Sequence, residues 1–179
     1  MGISNGGDMV VIIDKREQKP FLYSKVGDPN FPGLKIKYDT LKSGDYSLEN
    51  MSTPDCEHSV AVERKSMIDL FSSTGRGRER LIAEFKRMQK FDYAALVIEE
   101  DYRAMFKNPP PASSMNPKSV FRSILAFSIR YNLHIFACPN RIFAEKTTYL
   151  LLKRFWDDRV GPGRGPRGWP VGDHGPSDK

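Results

Sequence analysis

Apolar residues occur along this chain in short continuous runs and in stripes at helical spacing, and the two kinds alternate. Met9 to Asp14 is a short apolar run ending in an acid, which predicts a buried strand running into the charged segment Lys15 to Lys19. Gly27 to Gly33, with two glycines and two prolines, predicts a turn. Leu34 to Tyr38 alternates apolar and basic residues and predicts a half-exposed strand. A further strand is expected from Asp45 and Tyr46, and another from His58 to Glu63, the two forming a hairpin. Ser66 is suited to cap a helix carrying Met67, Ile68, Leu70 and Phe71 on its core side. After a Gly75-Arg76-Gly77-Arg78 linker, Leu81, Ile82, Phe85 and Met88 mark a helix over Glu79 to Lys90. Tyr93 to Ile98 is an apolar run of strand length followed by Glu99 and Glu100. A proline-rich loop spans Asn108 to Asn116, Pro117 opens a helix to about Tyr131, Leu133 to Ala137 is a strand, and Asn140 caps a last helix to about Asp157. Alternation of this kind predicts an α/β domain.

Composition adds scale and charge. The 179 residues are 39% hydrophobic, enough for one domain with its own core, and the net charge of +6 permits a polyanionic partner without requiring one. Two cysteines, Cys56 and Cys138, give no disulfide framework, and no signal peptide or membrane span is evident. Residue six is Gly rather than the hydroxyl residue of a myristoylation site, so an intracellular location is expected, with no membrane partner. Residues 1–8 read as a flexible N-terminus and 159–179 as a flexible Gly/Pro/Arg-rich tail, leaving 9–158 as the domain. Cys56, His58, His134 and Cys138 match no common zinc spacing.

Candidate chemistry lies where the strands end. Glu63 and Lys65, two apart on a strand, share a face, and Arg64 points the other way. A carboxylate beside an ammonium suits a hydrolytic metal site, although charge at a strand end is ordinarily just solvated surface. Asp14, Glu63 and Glu99 each close a strand, and Asp45 follows a Gly44 that permits a sharp turn. In a mostly parallel sheet these acids gather at one edge, where they stay ionised only beside a cation.

The ordered set Val11-Ile12-Ile13-Asp14-Lys15-Arg16-Glu17, then Gly44-Asp45-Tyr46, then Val62-Glu63-Arg64-Lys65-Ser66-Met67-Ile68-Asp69-Leu70 resembles the nuclease domain of the XPF family of structure-specific endonucleases, whose pattern is GD, a spacer and ERKxxxD. The resemblance continues through Gly77 to Leu81 and Leu96 to Glu100 and covers residues 9 to 158. It implies a restriction-endonuclease-like (PD-(D/E)xK) fold, a central mixed sheet flanked by helices. It implies a DNA endonuclease dependent on Mg2+ or Mn2+ and acting on branched or flap DNA, as in repair, recombination or replication. The alternative class is a noncatalytic DNA-binding or scaffold subunit.

The resemblance assigns the metal to Asp45 and Glu63 with the Arg64 carbonyl nearby, catalysis to Lys65, and a place at the same site to Asp14. Arg64 and Asp69 match the motif, with Asp69 a partner for Arg64, and Glu17 and Glu99 are secondary candidates. Arg76, Arg78 and Arg80, with Arg16, are the expected DNA contacts. Pro54-Asp55 before Glu63-Arg64-Lys65 spells a second PD-(D/E)xK motif. Asp45 is preferred, because Asp55 sits in a polar loop and Gly44-Asp45-Tyr46 is correctly flanked. The last helix carries Ile142, Phe143, Tyr149, Leu150, Leu151, Leu152, Phe155 and Trp156, too apolar all round for one buried stripe. Part of it is expected to face a partner, a homodimer being what the resemblance implies. The family's tandem helix-hairpin-helix modules have no counterpart in the tail, so a targeting partner protein is also expected.

Overall fold

In the computed structural model, which describes residues 9–21, 23, 29 and 31–160, one six-stranded mixed sheet divides two hydrophobic cores. The turn expected over 27–33 and the tail expected over 159–179 lie partly, and the N-terminus over 1–8 wholly, outside the described residues; Arg159 ends the last helix. The strands are β1 (Val10–Asp14), β2 (Lys35–Asp39), β3 (Tyr46–Leu48), β4 (Val60–Lys65), β5 (Tyr93–Ile98) and β6 (His134–Ala137), in the order β2-β1-β3-β4-β5-β6. The helices are α1 (Met67–Thr74), α2 (Arg78–Met88), α3 (Tyr102–Lys107), α4 (Pro117–Tyr131) and α5 (Arg141–Arg159). Strand β3 runs antiparallel to both β1 and β4, and every other pairing is parallel. Five strands therefore point one way, and their carboxyl ends form one edge. The reversed β3 starts at that edge and brings Asp45 to it.

Strand parity sorts the side chains between the cores. Val11, Ile13, Tyr46, Leu48, Val60, Val62, Ala95 and Val97 face α5 together with Phe21 and Tyr23. Ala61, Leu96 and Ile98 face the layer of α1, α2 and α4. Helices α1, α4 and α5 begin where their sequence signals place them. Ser66 Oγ accepts the Asp69 N–H at 3.2 Å and meets Asp69 Oδ2 at 2.6 Å, Asn116 accepts from Lys118 ahead of Pro117 at the first turn, and Asn140 accepts from Phe143.

Three details depart from the sequence expectation. Ile68 is 69% exposed, because the buried stripe of α1 is Met67, Leu70, Phe71 and Thr74, and Ile68 lies about 100° off it. Helix α3, capped by Asp101 accepting from Ala104 at 2.8 Å, has no counterpart among the expected elements; six residues burying only Met105 leave almost no periodic signal. Helix α5 does have a buried stripe, Ala144, Thr148, Tyr149, Leu152 and Phe155, while Ile142, Phe143 and Leu150 are exposed. Among the described residues no helix is long and apolar enough to cross a membrane.

Candidate active site

The carboxyl edge of β1 and β4 and the start of β3 open into a cavity of about 740 Å³ lined by Asp14, Asp45, Glu63, Lys65, Asp69 and Glu84, among others. The turn before β3 creates it. Gly44 has φ +73°, and a Cβ there would stand 3.0 Å from the Val62 carbonyl oxygen, so glycine alone lets the turn press onto β4. Asp45 is then stitched between the strands: its N–H donates to Val62 O at 2.8 Å and its carbonyl accepts from the Asp14 N–H at 2.8 Å. The backbone N–H of Arg64 donates to Asp45 Oδ2 at 2.8 Å, which aims the carboxylate along β4. From β4 itself, Glu63 and Lys65 reach the same side and pair at 2.6 Å.

The electrostatics distinguish these carboxylates. Burial pushes Asp45 well above the usual carboxylate range although it keeps a partial opening to the cavity, and the Glu63 charge adds to the shift. Burial also raises Glu63, with Lys65 acting against it. Lys65 is held above its ordinary value: desolvation pulls it down, but the Glu63 charge and hydrogen bond win. It is an ammonium at neutral pH and not a proton acceptor. Asp14 goes the other way. Burial raises it, but Arg16 and the backbone N–H groups of Arg16 and Leu41 outweigh that and hold it below the usual range. Its oxygens accept from Arg16 N–H, Nε and Nη2 and from Leu41 N–H, at 2.7 to 2.9 Å. Asp14 thus brings a neutralised ion pair to the site, whereas Asp45 and Glu63 raise each other's cost of ionisation, with the Lys65 ammonium paired to Glu63.

Residues 13–151 match the ERCC4 domain. The chain belongs to the ERCC4-domain family. The structure of this ERCC4 domain is similar to that of XPF from Aeropyrum pernix, with a TM-score of 0.57 and 18% identity over 83% of this chain and 63% of that one. It is also similar to XPF from Aeropyrum pernix in complex with DNA, with a TM-score of 0.52 and 20% identity over 82% and 62% of the two chains. This chain therefore spans less than two thirds of the length of those XPF chains. No curated protein matches it in sequence. The fold is the restriction-endonuclease-like α/β arrangement of the XPF nuclease domain, as the sequence resemblance implied.

The ERCC4 domain does not use all the candidate residues alike. Arg64, 4% exposed, crosses to the α5 side of the sheet, where Nε donates to Glu99 Oε1 at 2.7 Å and Nη1 to Glu17 Oε1 at 3.3 Å. Its expected partner Asp69 instead shares the Ser66 cap and lines the cavity. Glu99 lies two residues beyond Val97 and so shares its face, opposite to Glu63. It pairs with Arg64 and with Arg141, the first residue of α5, which strand-end counting overlooked. Arg141 also donates to the carbonyls of Lys19 and Pro20 and lies 5.0 Å from the Phe21 ring centre.

The three arginines expected as one DNA-binding stripe diverge. Arg80 lines the cavity, Arg76 lines a second groove beside α1, and Arg78 is committed to Ser123 Oγ at 3.0 Å and to the Phe127 ring. Arg16 stays 65% exposed at the cavity rim while holding Asp14. Asp55 is exposed in the loop before β4, at the opposite end of that strand from Glu63. His134 stacks on Tyr93, and Cys138 bonds Thr147. A residue that sequence reading missed is Glu84, from the middle of α2. Its Oε1 accepts the Gly44 N–H at 2.8 Å, and its other oxygen pairs with Arg87.

Proposed function

We propose that this ERCC4 domain is a metal-dependent endonuclease that hydrolyses phosphodiester bonds in DNA, with branched, flap or otherwise structured DNA as substrate. The observation that carries the reading is the convergence of Asp45, Glu63 and Lys65 in one cavity, two carboxylates with raised pKa beside a protonated lysine. Among the described residues no three His, Cys, Asp or Glu side chains are grouped to hold a metal by themselves. Two hard oxygen donors still fit Mg2+ or Mn2+, which favour carboxylates and keep several waters. Such an ion, when bound, supplies charge neutralisation at the phosphoryl oxygens and lowers the pKa of water.

The chain's own residues do the rest. Asp45, aimed by the Arg64 N–H, and Glu63 fix where positive charge sits relative to β4. Lys65, held as an ammonium by Glu63, places a second positive charge where the phosphate becomes more negative. Lys42 and Arg80 at the cavity wall suit phosphate oxygens, giving binding that weakens with salt. The likeness to XPF, one structure of which is a DNA complex, supports DNA as the partner.

Incubation of purified protein with duplex, flap, fork and single-stranded DNA, with Mg2+ or Mn2+ titrated, tests the proposal. Metal-dependent cuts are expected, and Asp55→Asn should cut like the parent because Asp55 is exposed and away from the cavity. Absence of cleavage on every substrate, with DNA still bound, would instead assign the chain to the noncatalytic subunit class. A second copy of the chain is a further proposed partner, seated on the exposed apolar residues of α5, Ile142, Phe143 and Leu150. Light scattering should then give a dimer mass at high concentration; a sharp monomer refutes it.

A further inference from the structure

We infer that Glu84 is a positioning residue for the proposed metal site: it latches α2 onto the Gly44-Asp45 turn and so fixes the Asp45 carboxylate without itself binding the ion. The turn carries a strained requirement. Gly44 sits at φ +73°, where a Cβ would stand 3.0 Å from the Val62 carbonyl oxygen, and residues 42–44 form no strand. Asp45 N–H bonds to Val62, whereas the N–H of Gly44 bonds to a side chain forty positions away, at 2.8 Å. That side chain, Glu84, is 19% exposed, and its second oxygen is taken by Arg87. Both carboxylate oxygens therefore have donors within the protein, unlike those of a group waiting for a cation. A hydrogen bond from a backbone N–H to a charged acceptor is among the stronger ones, and it joins two segments that both line the cavity. Outer residues that orient a metal's carboxylate ligands typically matter about 10- to 100-fold in metal affinity.

The inference rests on the metal reading above only for its consequence, because the latch itself is measurable without metal. Two substitutions separate reach from charge. Glu84→Gln keeps an acceptor at the same length without the charge, and Glu84→Asp keeps the charge but falls short by one methylene. Amide hydrogen exchange in 15N-labelled, metal-free protein should show the Gly44 N–H protected in the parent and in Glu84→Gln, and about tenfold less protected in Glu84→Asp and Glu84→Ala. Mn2+ binding, followed by the paramagnetic resonance of free ion, should weaken about tenfold in Glu84→Asp and Glu84→Ala and within about threefold in Glu84→Gln. Equal Gly44 protection in all variants overturns the latch. Mn2+ affinity lost in Glu84→Gln and kept in Glu84→Asp overturns positioning in favour of a direct charge role. If the parent binds no Mn2+, the metal reading falls, and the exchange data alone decide whether Glu84 holds the turn.

Discussion

Asp45→Asn should lose metal-dependent cleavage by at least about a hundredfold while melting at a higher temperature than the parent in the absence of metal. Both halves come from one cause. Asp45 is crowded by burial and by the charge of Glu63, so its folded-state pKa lies well above its unfolded value. For an acid shifted in that direction, ionisation costs stability: the cost is absent below the unfolded pKa and present in full above the folded one. The amide keeps an oxygen for the Arg64 N–H and removes the charge. The gain, of the order of 2 kcal/mol by analogy with buried charges relieved of repulsion, should therefore grow as pH rises from the unfolded pKa of Asp45 to its raised folded one, level off above that, and vanish in acid. Added Mn2+ should reverse the ranking by raising the melting temperature of the parent alone, because only the parent retains the full charge that holds the ion. Calorimetry against pH, with and without Mn2+, checks the claim. A variant that melts lower than the parent at neutral pH, without metal, would mean that the Asp45 charge is already compensated in the apo protein.

Arg64→Ala should destabilise the protein by about 3 kcal/mol, because it leaves two carboxylates on the other face of the sheet, each 11% exposed, short of a partner. The Arg64 side chain is 4% exposed, bonds Glu99 and Glu17, and lies 5.8 Å from the Phe21 ring centre. Glu99 retains Arg141, which keeps the cost below that of an isolated buried charge. For a domain of this size the loss corresponds to a fall in melting temperature of roughly 6–12 °C. Arg64→Lys should recover only part of it, since an ammonium lacks the planar fork that serves two carboxylates at once. Cleavage per folded molecule should fall less than in Asp45→Asn, because the contact of Arg64 to Asp45 is made by its backbone N–H and survives the substitution. Thermal melts that coincide for parent and Arg64→Ala would show that Glu17 and Glu99 do not need the guanidinium.

Between these two substitutions lies the difference between adjacent positions on one strand. Glu63 and Arg64 are neighbours in a single motif, yet they belong to opposite faces and to different tasks. Parity made that legible: alternation along Val60 to Lys65 puts Glu63 and Lys65 together and Arg64 away from them. The same rule, carried one strand further, places Glu99 with Arg64, and register is what the sequence lacked for that step. Asp69 was legible as a motif residue, but its Ser66 cap, not a pairing with Arg64, follows from the turn between β4 and α1.

The sequence by itself determined the chain order of the six strands and of helices α1, α2, α4 and α5, the caps at Ser66, Asn116 and Asn140, Asp45, Glu63 and Lys65 as candidates, and the family resemblance, because these depend on local periodicity, local hydrogen bonding and a motif of fixed spacing. Only the tertiary structure decided which charges are spent and which are open. Asp14 is neutralised by Arg16, Glu99 is shared between Arg64 and Arg141, Arg78 is turned toward α4, and Glu84 reaches the Gly44 turn from forty residues away. The state of a carboxylate depends on the donors within about 3 Å of it; Arg16 is a near neighbour of Asp14, but Leu41 on Asp14, Arg64 and Arg141 on Glu99, and Gly44 on Glu84 come from segments distant along the chain.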